Sequence, residues 1–117
     1  MQKEIKIKGN VALIGFEVLE PVELEKIQKI VMTYIKKLSE VCSFEELKLT
    51  LQQHQKGKSF KHEINGVVFI DKNTRFTASV TKWNLYNAVS DVCEKIYTAV
   101  VKFIKKEQRH DKLTYQR

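Results

Sequence analysis

The sequence contains few of the residues that interrupt regular structure, with one proline and four glycines among its 117 residues. This scarcity argues against flexible linkers, low-complexity segments and long disordered stretches. No apolar run approaches the ~20 residues that are needed to span a bilayer. The N-terminus also lacks the apolar segment and small-residue cleavage site of a signal peptide. We therefore expect a cytoplasmic protein that is built around a single domain.

Residues that support catalysis or metal binding are also scarce. Cys42 and Cys93 have neither metal-type spacing nor a histidine at a catalytic spacing, so we expect reduced thiols and no disulfide. His54, His62 and Glu63 could meet across a hairpin, but His62 and Glu63 point to opposite faces of a regular strand. Glycine-rich phosphate loops, nucleophile elbows and paired carboxylates are missing. The sequence thus predicts a protein that is not an enzyme and has no cofactor, metal or small-molecule substrate.

Positive charge is abundant. The chain has 21 Lys and Arg against 14 Asp and Glu, which gives a formal net charge of +7. Such an excess does not determine a fold, but it indicates a polyanionic partner. On charge alone, nucleic acid, an anionic membrane surface and an acidic protein are all possible partners.

The first part of the chain alternates between strand and helix patterns. Residues 3–8 alternate polar and apolar side chains, which is typical of a half-buried strand. Residues 11–18 are apolar and β-prone, and they either extend this strand or pair back on it as a hairpin. Pro21 then begins a helix in which apolar residues recur at three and four positions up to Val41.

The second part of the chain predicts three strands and a helix. The strands cover residues 46–54, 60–70 and 75–81, and Asn65 with Gly66 indicates a bulge, or alternatively a turn, within the second. An apolar stripe predicts a final helix over residues 83–108. Trp83 is expected to be a partly buried staple at its start, with Tyr86 and Tyr97 at the edge of the core.

These patterns together predict an α+β fold with the order β-α-β-β-β-α. Two helices on one face of an antiparallel sheet would bury the apolar sides of every element. We expect this α+β domain to cover residues 1–108, and residues 109–117 to form a short basic C-terminal tail.

The last helix carries a line of cations beside its apolar stripe. An α-helix turns by roughly 100° per residue about its axis, which places Lys102, Lys106 and Arg109 within about 40° of the direction of Lys95. The only acid on this line is Asp91, one turn before Lys95. Cations one or two turns apart on a rigid helix can contact successive backbone phosphates. The alternative interpretation is a solvated surface with no binding role.

Residues 83–96 resemble the second helix of the family of ribosome hibernation promoting factors and ribosome-associated inhibitors. The positions that match the family's pattern are Leu85, Tyr86, Ala88, Val89, Asp91, Lys95, Ile96 and, later, Lys102. The resemblance spans nearly the whole chain but is specific only over residues 85–106. This sequence departs from the family at Asn84, where the family has Asp, and at Thr98, where it has a basic residue. Long members of the family add a C-terminal dimerisation domain, so the resemblance is to the short form.

The resemblance implies a double-stranded-RNA-binding-like fold and a protein that inhibits translation in resting or stressed cells. Such a protein binds rRNA in the mRNA and tRNA channel of the small ribosomal subunit, overlapping the A and P sites. The expected rRNA-binding residues are Lys36, Lys37, Lys95, Lys102, Lys106 and Arg109. Of these, Lys36 and Arg109 come from the local charge pattern and the others from family positions.

The expected partners are accordingly the small subunit and its rRNA, with no membrane and with a monomeric protein when free. A-form RNA is recognised through shape and backbone charge, so lysine-rich helices suffice without a base-recognition motif. Two alternatives remain open, a structured-RNA-binding domain that acts outside the ribosome and an adaptor for an acidic protein.

Overall fold

The computed structural model describes residues 3–115, with side chains described for residues 3–107. Its helices and strands are β1 (Glu4–Ile7), β2 (Val11–Ile14), α1 (Pro21–Val41), β3 (Glu46–Lys56), β4 (Ser59–Phe69), β5 (Arg75–Lys82) and α2 (Leu85–Tyr115). A single 3-10 turn, Phe16–Val18, lies between β2 and α1. The five strands form one sheet in the order β1-β2-β3-β4-β5. The predicted α+β class is confirmed.

The sheet is mixed, because β2 and β3 run parallel. Val11 lies opposite Leu47, and Leu13 lies opposite Leu49. The other neighbouring pairs of strands are antiparallel. Parallel neighbours require a crossover connection, and α1 provides it between β2 and β3. The predicted all-antiparallel sheet is therefore wrong at this pair.

The N-terminal segment forms a hairpin, the second of its two predicted alternatives. β1 pairs antiparallel with β2, and the turn between them holds Lys8 and Gly9 at positive φ angles of 52° and 74°. Glycine adopts such a φ without steric cost. Residues 11–13 of β2 are fully buried, so this short strand belongs to the core. The observed order is thus β-β-α-β-β-β-α, with one strand more than predicted.

Both helices pack on the same face of the sheet and contact each other. This core face of the sheet includes Leu13, Leu47, Leu49, Leu51, Ile64, Val68 and Val80. The helices cover it with Ile27, Val31, Ile35 and Leu38 of α1 and with Leu85, Val89, Val92, Ile96 and Val100 of α2. The alternate residues of the strands form the opposite face, the open face, which neither helix covers.

Gly66 lies where α2 packs closely on the sheet. The pairing of β3 with β4 is uninterrupted here, with Asn65 opposite Thr50 and Gly66 opposite Leu49, so the predicted bulge is wrong. A Cβ on Gly66 would lie 2.7 Å from Cδ1 of Ile96 and 3.0 Å from Cδ2 of Leu49. Glycine within a strand is typical of such a close approach.

Gly66→Ala should therefore lower the free energy of unfolding by about 1 kcal/mol or more, because overpacking costs ~1–3 kcal/mol and the gain in strand propensity offsets only part of it. Ile96→Val removes the clashing Cδ1 atom, at a cost of ~0.5–1.5 kcal/mol on its own. We expect the double variant to be more stable than the sum of the two losses predicts. Urea unfolding of all four proteins measures this coupling, and strict additivity would show that the contact is unimportant.

The aromatic residues near the start of α2 differ in exposure. Tyr86 and Tyr97 are half-buried against the core, as predicted. Trp83 is 53% exposed, so its predicted role as a partly buried staple is wrong. The backbone of α2 continues through Tyr115, while the side chains of the predicted tail, residues 109–117, lie outside the described part of the chain.

Candidate nucleic-acid interface

Three lysines of α2 form an exposed line that we call the lysine stripe: Lys95, Lys102 and Lys106. At ~1.5 Å rise per residue, the stripe extends over roughly 16 Å. None of the three takes part in an ion pair with any side chain of residues 3–107. The stripe therefore presents three cations that are not neutralised by an acid of the described region.

The one acid on the same line of the helix is neutralised by the sheet. Asp91 forms an ion pair with Lys82, the last residue of β5, and both side chains remain partly exposed. A surface pair of this kind adds little to stability. Its effect on the local charge is larger, because the ammonium of Lys82 cancels the carboxylate at the start of the stripe. Lys82 was not among the predicted site residues, although its position three residues before α2 was a signal in the sequence.

The lysine stripe lies on the flank of α2 that faces away from α1. Asp91 on this flank reaches β5, whereas Glu94 reaches Lys37 of α1. A shallow groove on the outer surface of α2 is lined by Asp91, Glu94, Lys95, Thr98, Ala99 and Lys102. The small side chains of Thr98 and Ala99 leave space between the two lysines, where a phosphate group of a nucleic-acid backbone can approach the helix.

Lys37 spans the contact between the two helices. Its ammonium lies 4.9 Å from the ring centroid of Tyr34, 4.6 Å from that of Tyr97, and 3.9 Å from Oε2 of Glu94. Burial, and then the nearby carboxylate of Glu94, raises the pKa of Tyr34 to about 12, so this phenol stays neutral at physiological pH. Lys37 thus holds α1 against α2 and is already occupied by contacts within the protein.

The remaining predicted site residues do not join the stripe. Lys36 is exposed on another side of α1, where it shares a groove with Lys8. The side chain of Arg109 lies outside the described residues. Of the predicted site residues whose side chains are described, the structure therefore brings together only Lys95, Lys102 and Lys106. Lys37 is separated from these three by Glu94, and Lys36 lies away from them on α1.

The histidines of the hairpin do not build a metal centre. Nε2 of His54 lies 2.8 Å from Oε1 of Glu63 on the open face, while His62 is on the other side of the sheet, with Nδ1 2.9 Å from the carbonyl oxygen of Trp83. Across the described part of the chain, no group of three His, Cys, Asp or Glu side chains is arranged to hold a metal ion. Neither helix has, within that same part, an apolar stretch long enough to cross a bilayer.

The two cysteines are free and differ in burial. Cys93 belongs to α2 and is buried in the core, and this burial raises the pKa of its thiol to about 12. Cys42 is half-buried at the end of α1, where partial burial also raises the pKa. Since the thiolate is the reactive form, neither residue has the properties of a catalytic cysteine.

We expect Cys93 to resist a water-soluble disulfide reagent at pH 8 in the native protein and to react on unfolding. The variants Cys42→Ala and Cys93→Ala show which rate of modification belongs to which thiol. Since an unfolded thiol ionises near pH 9 and buried Cys93 does not, the free energy of unfolding should fall as the pH rises above 9. Cys93→Ala should remove that part of the pH dependence. Rapid modification of native Cys93 would contradict its buried, protonated state.

No model of a known protein family matches the chain, and no curated protein matches it. A function for this chain is therefore inferred from the geometry of the lysine stripe, which lies within residues 85–106, the segment predicted from the sequence to resemble the hibernation family.

Proposed function

We propose that this protein is a ribosome hibernation factor, which binds the rRNA of the small subunit in the mRNA and tRNA channel and inhibits translation in resting or stressed cells. The observation that carries the proposal is the lysine stripe. Lys95, Lys102 and Lys106 are exposed on one flank of a rigid helix, and the adjacent acid, Asp91, is neutralised by Lys82. A polyanion therefore meets three lysines along this flank, and the two carboxylates of the groove, Asp91 and Glu94, are each paired with another lysine.

The spacing of the stripe suits an RNA backbone. Lys102 and Lys106 are about one helical turn apart, ~6 Å along the axis, and Lys95 precedes Lys102 by about two turns, ~10.5 Å. Cations at such intervals can each contact a different phosphate, and each contact releases counterions from the RNA. Lysine contacts to phosphates do not depend on base sequence, which fits a partner recognised by A-form shape and charge.

The topology also supports the proposal. When β1 is set aside, the remaining elements follow the order strand, helix, three strands, helix, which is the order expected of the hibernation family. We regard β1 as an addition at the sheet edge and propose a double-stranded-RNA-binding-like core. Within the resembling segment, Tyr86 packs at the core edge and Asp91 binds Lys82, so two of the matching positions have structural partners.

In this proposal the lysine stripe provides the principal rRNA contacts, and Lys37 supports them by fixing the helices relative to each other. Lys36 and Arg109 remain predicted contacts at the periphery. The bound protein would occupy the A- and P-site region and exclude mRNA and tRNA by overlap. We propose further that it acts in the cytoplasm as a monomer and does no chemistry.

Sucrose-gradient sedimentation with purified small subunits, combined with an in vitro translation assay, tests the proposal. We expect the protein to migrate with the small subunit, to dissociate as salt is raised, and to inhibit translation in proportion to occupancy. Binding to structured RNA without co-migration would instead indicate a general RNA-binding domain. A cellular complex that survives nuclease digestion would indicate an adaptor for an acidic protein.

A further inference from the structure

A second surface lies at the far end of the β3-β4 hairpin. β2 pairs with β3 only as far as Thr50, and β5 pairs with β4 only from His62 onward, so residues 53–61 project beyond the neighbouring strands. Trp83 follows β5 at this end of the sheet and is the only tryptophan of the chain. With 53% of its surface exposed, it is one of the most exposed large apolar side chains among residues 3–107.

The indole of Trp83 is held in place although it is exposed. Trp83 is the first residue after β5, in which Ser79 and Thr81 lie on the open face. Lys61 lies on the same face, and its ammonium is 5.2 Å from the centroid of the indole ring. His62 contacts the carbonyl oxygen of Trp83 through Nδ1 at 2.9 Å and fixes the backbone. The aromatic plane is thus supported on the open face.

The hairpin that contacts this indole carries positive charge. Lys56, Lys58 and Lys61 form no ion pair with any side chain of residues 3–107. The nearest acid along this strand, Glu63, is engaged within the sheet: Oε1 lies 2.8 Å from Nε2 of His54, and Oε2 accepts a hydrogen bond of 2.8 Å from Asn65. These hydrogen bonds lower the pKa of Glu63, with Asn65 contributing most. The lysines are therefore available to an external anion.

We propose that Trp83 and Lys61 form a stacking site for an unpaired base of single-stranded RNA, and that Lys56 and Lys58 bind the flanking phosphates. An exposed aromatic plane bordered by cations is the usual means of binding single strands, because every base has a π-face. An acidic peptide could use the lysines, but it has no need of an exposed indole. The site faces away from the helices, so it goes beyond the proposed function and does not depend on it.

Fluorescence of the single tryptophan reports directly on this site. An oligouridylate of about eight nucleotides, within the usual range of single-strand sites, should quench the emission of Trp83 as it binds. An abasic strand of the same length should bind more weakly and leave the emission unchanged. Because replacement of Trp83 removes the tryptophan signal, the affinities of the variants are measured by the anisotropy of a fluorescein-labelled strand. Trp83→Ala should weaken oligouridylate binding by roughly 5- to 150-fold, the range for one base stacked on an aromatic ring, and should leave abasic binding unaffected. Trp83→Phe should retain most of the parent protein's affinity for oligouridylate.

Phe60 provides a matched control, since it is 43% exposed on the opposite face of the same hairpin. Phe60→Ala should bind oligouridylate as the parent protein does, and melting temperatures should show that both alanine variants fold. A variant with alanine at Lys95, Lys102 and Lys106 should still show quenching, which separates this site from the proposed rRNA interface. Two results would overturn the inference: equal affinity of Trp83→Ala and the parent for oligouridylate, or equal quenching by a polyglutamate peptide.

Discussion

Replacing Lys95, Lys102 and Lys106 together by alanine should weaken binding to the small ribosomal subunit by roughly 100-fold or more at about 0.1 M salt. Each phosphate contact contributes roughly 0.7 to 0.9 to the slope of log affinity against log salt, so losing three contacts should flatten the plot by about two units. The three side chains are exposed and make no ion pair in the described structure, so the variant should fold as the parent does. Sedimentation over a series of salt concentrations measures the slope and the affinity.

A matched triple variant distinguishes the effect of the lysine stripe on affinity from the effect of overall net charge. Lys6, Lys29 and Lys48 lie elsewhere on the surface, and their ammonium groups are 3.9, 3.7 and 3.7 Å from Glu4, Glu25 and Glu46 respectively. Alanine at these three positions removes the same three charges from the formal net charge of +7. We expect this control variant to lose little affinity for the subunit and to change the slope of log affinity against log salt only slightly. An equal effect of the two triple variants would mean that overall charge, and not the stripe, attracts the subunit.

The lysine stripe could be predicted from the sequence because helix geometry converts spacing directly into direction. Residues separated by seven and eleven positions lie on one line of an α-helix whatever the rest of the fold does. Its electrostatic environment could not be predicted in the same way. The pairing of Asp91 with Lys82 depends on where β5 ends relative to α2, and the distance of Lys36 from the stripe depends on how α1 packs.

The sheet could likewise be predicted from the sequence only where local periodicity determines the structure. The alternation in β3 predicts a half-buried strand, since one face is covered and the other is open. β2 has no alternation because its neighbours and the helices bury it, so periodicity gave neither its boundaries nor its partner. Its parallel pairing with β3 joins residues more than thirty positions apart. The contact of Trp83 with Lys61 likewise depends on the position of the β3-β4 hairpin, which no local pattern reveals.

The burial of the N-terminal segment leads to the largest expected change in stability. Phe16 follows β2 in the 3-10 turn and is fully buried among residues of the sheet and the helices. Removing a buried phenylalanine side chain typically costs ~3–5 kcal/mol. Because small domains are stable by only ~5–15 kcal/mol, Phe16→Ala should lose a large part of the free energy of unfolding. Urea unfolding followed by circular dichroism measures the loss.

Val18→Ala is the control for this prediction, because Val18 belongs to the same turn but is 61% exposed. Surface substitutions of this kind usually change stability by less than about 0.5 kcal/mol. Phe16→Leu keeps much of the apolar volume, so its free energy of unfolding should lie between those of the two alanine variants. If Phe16→Ala proved as stable as Val18→Ala, the segment between β2 and α1 would not belong to the core.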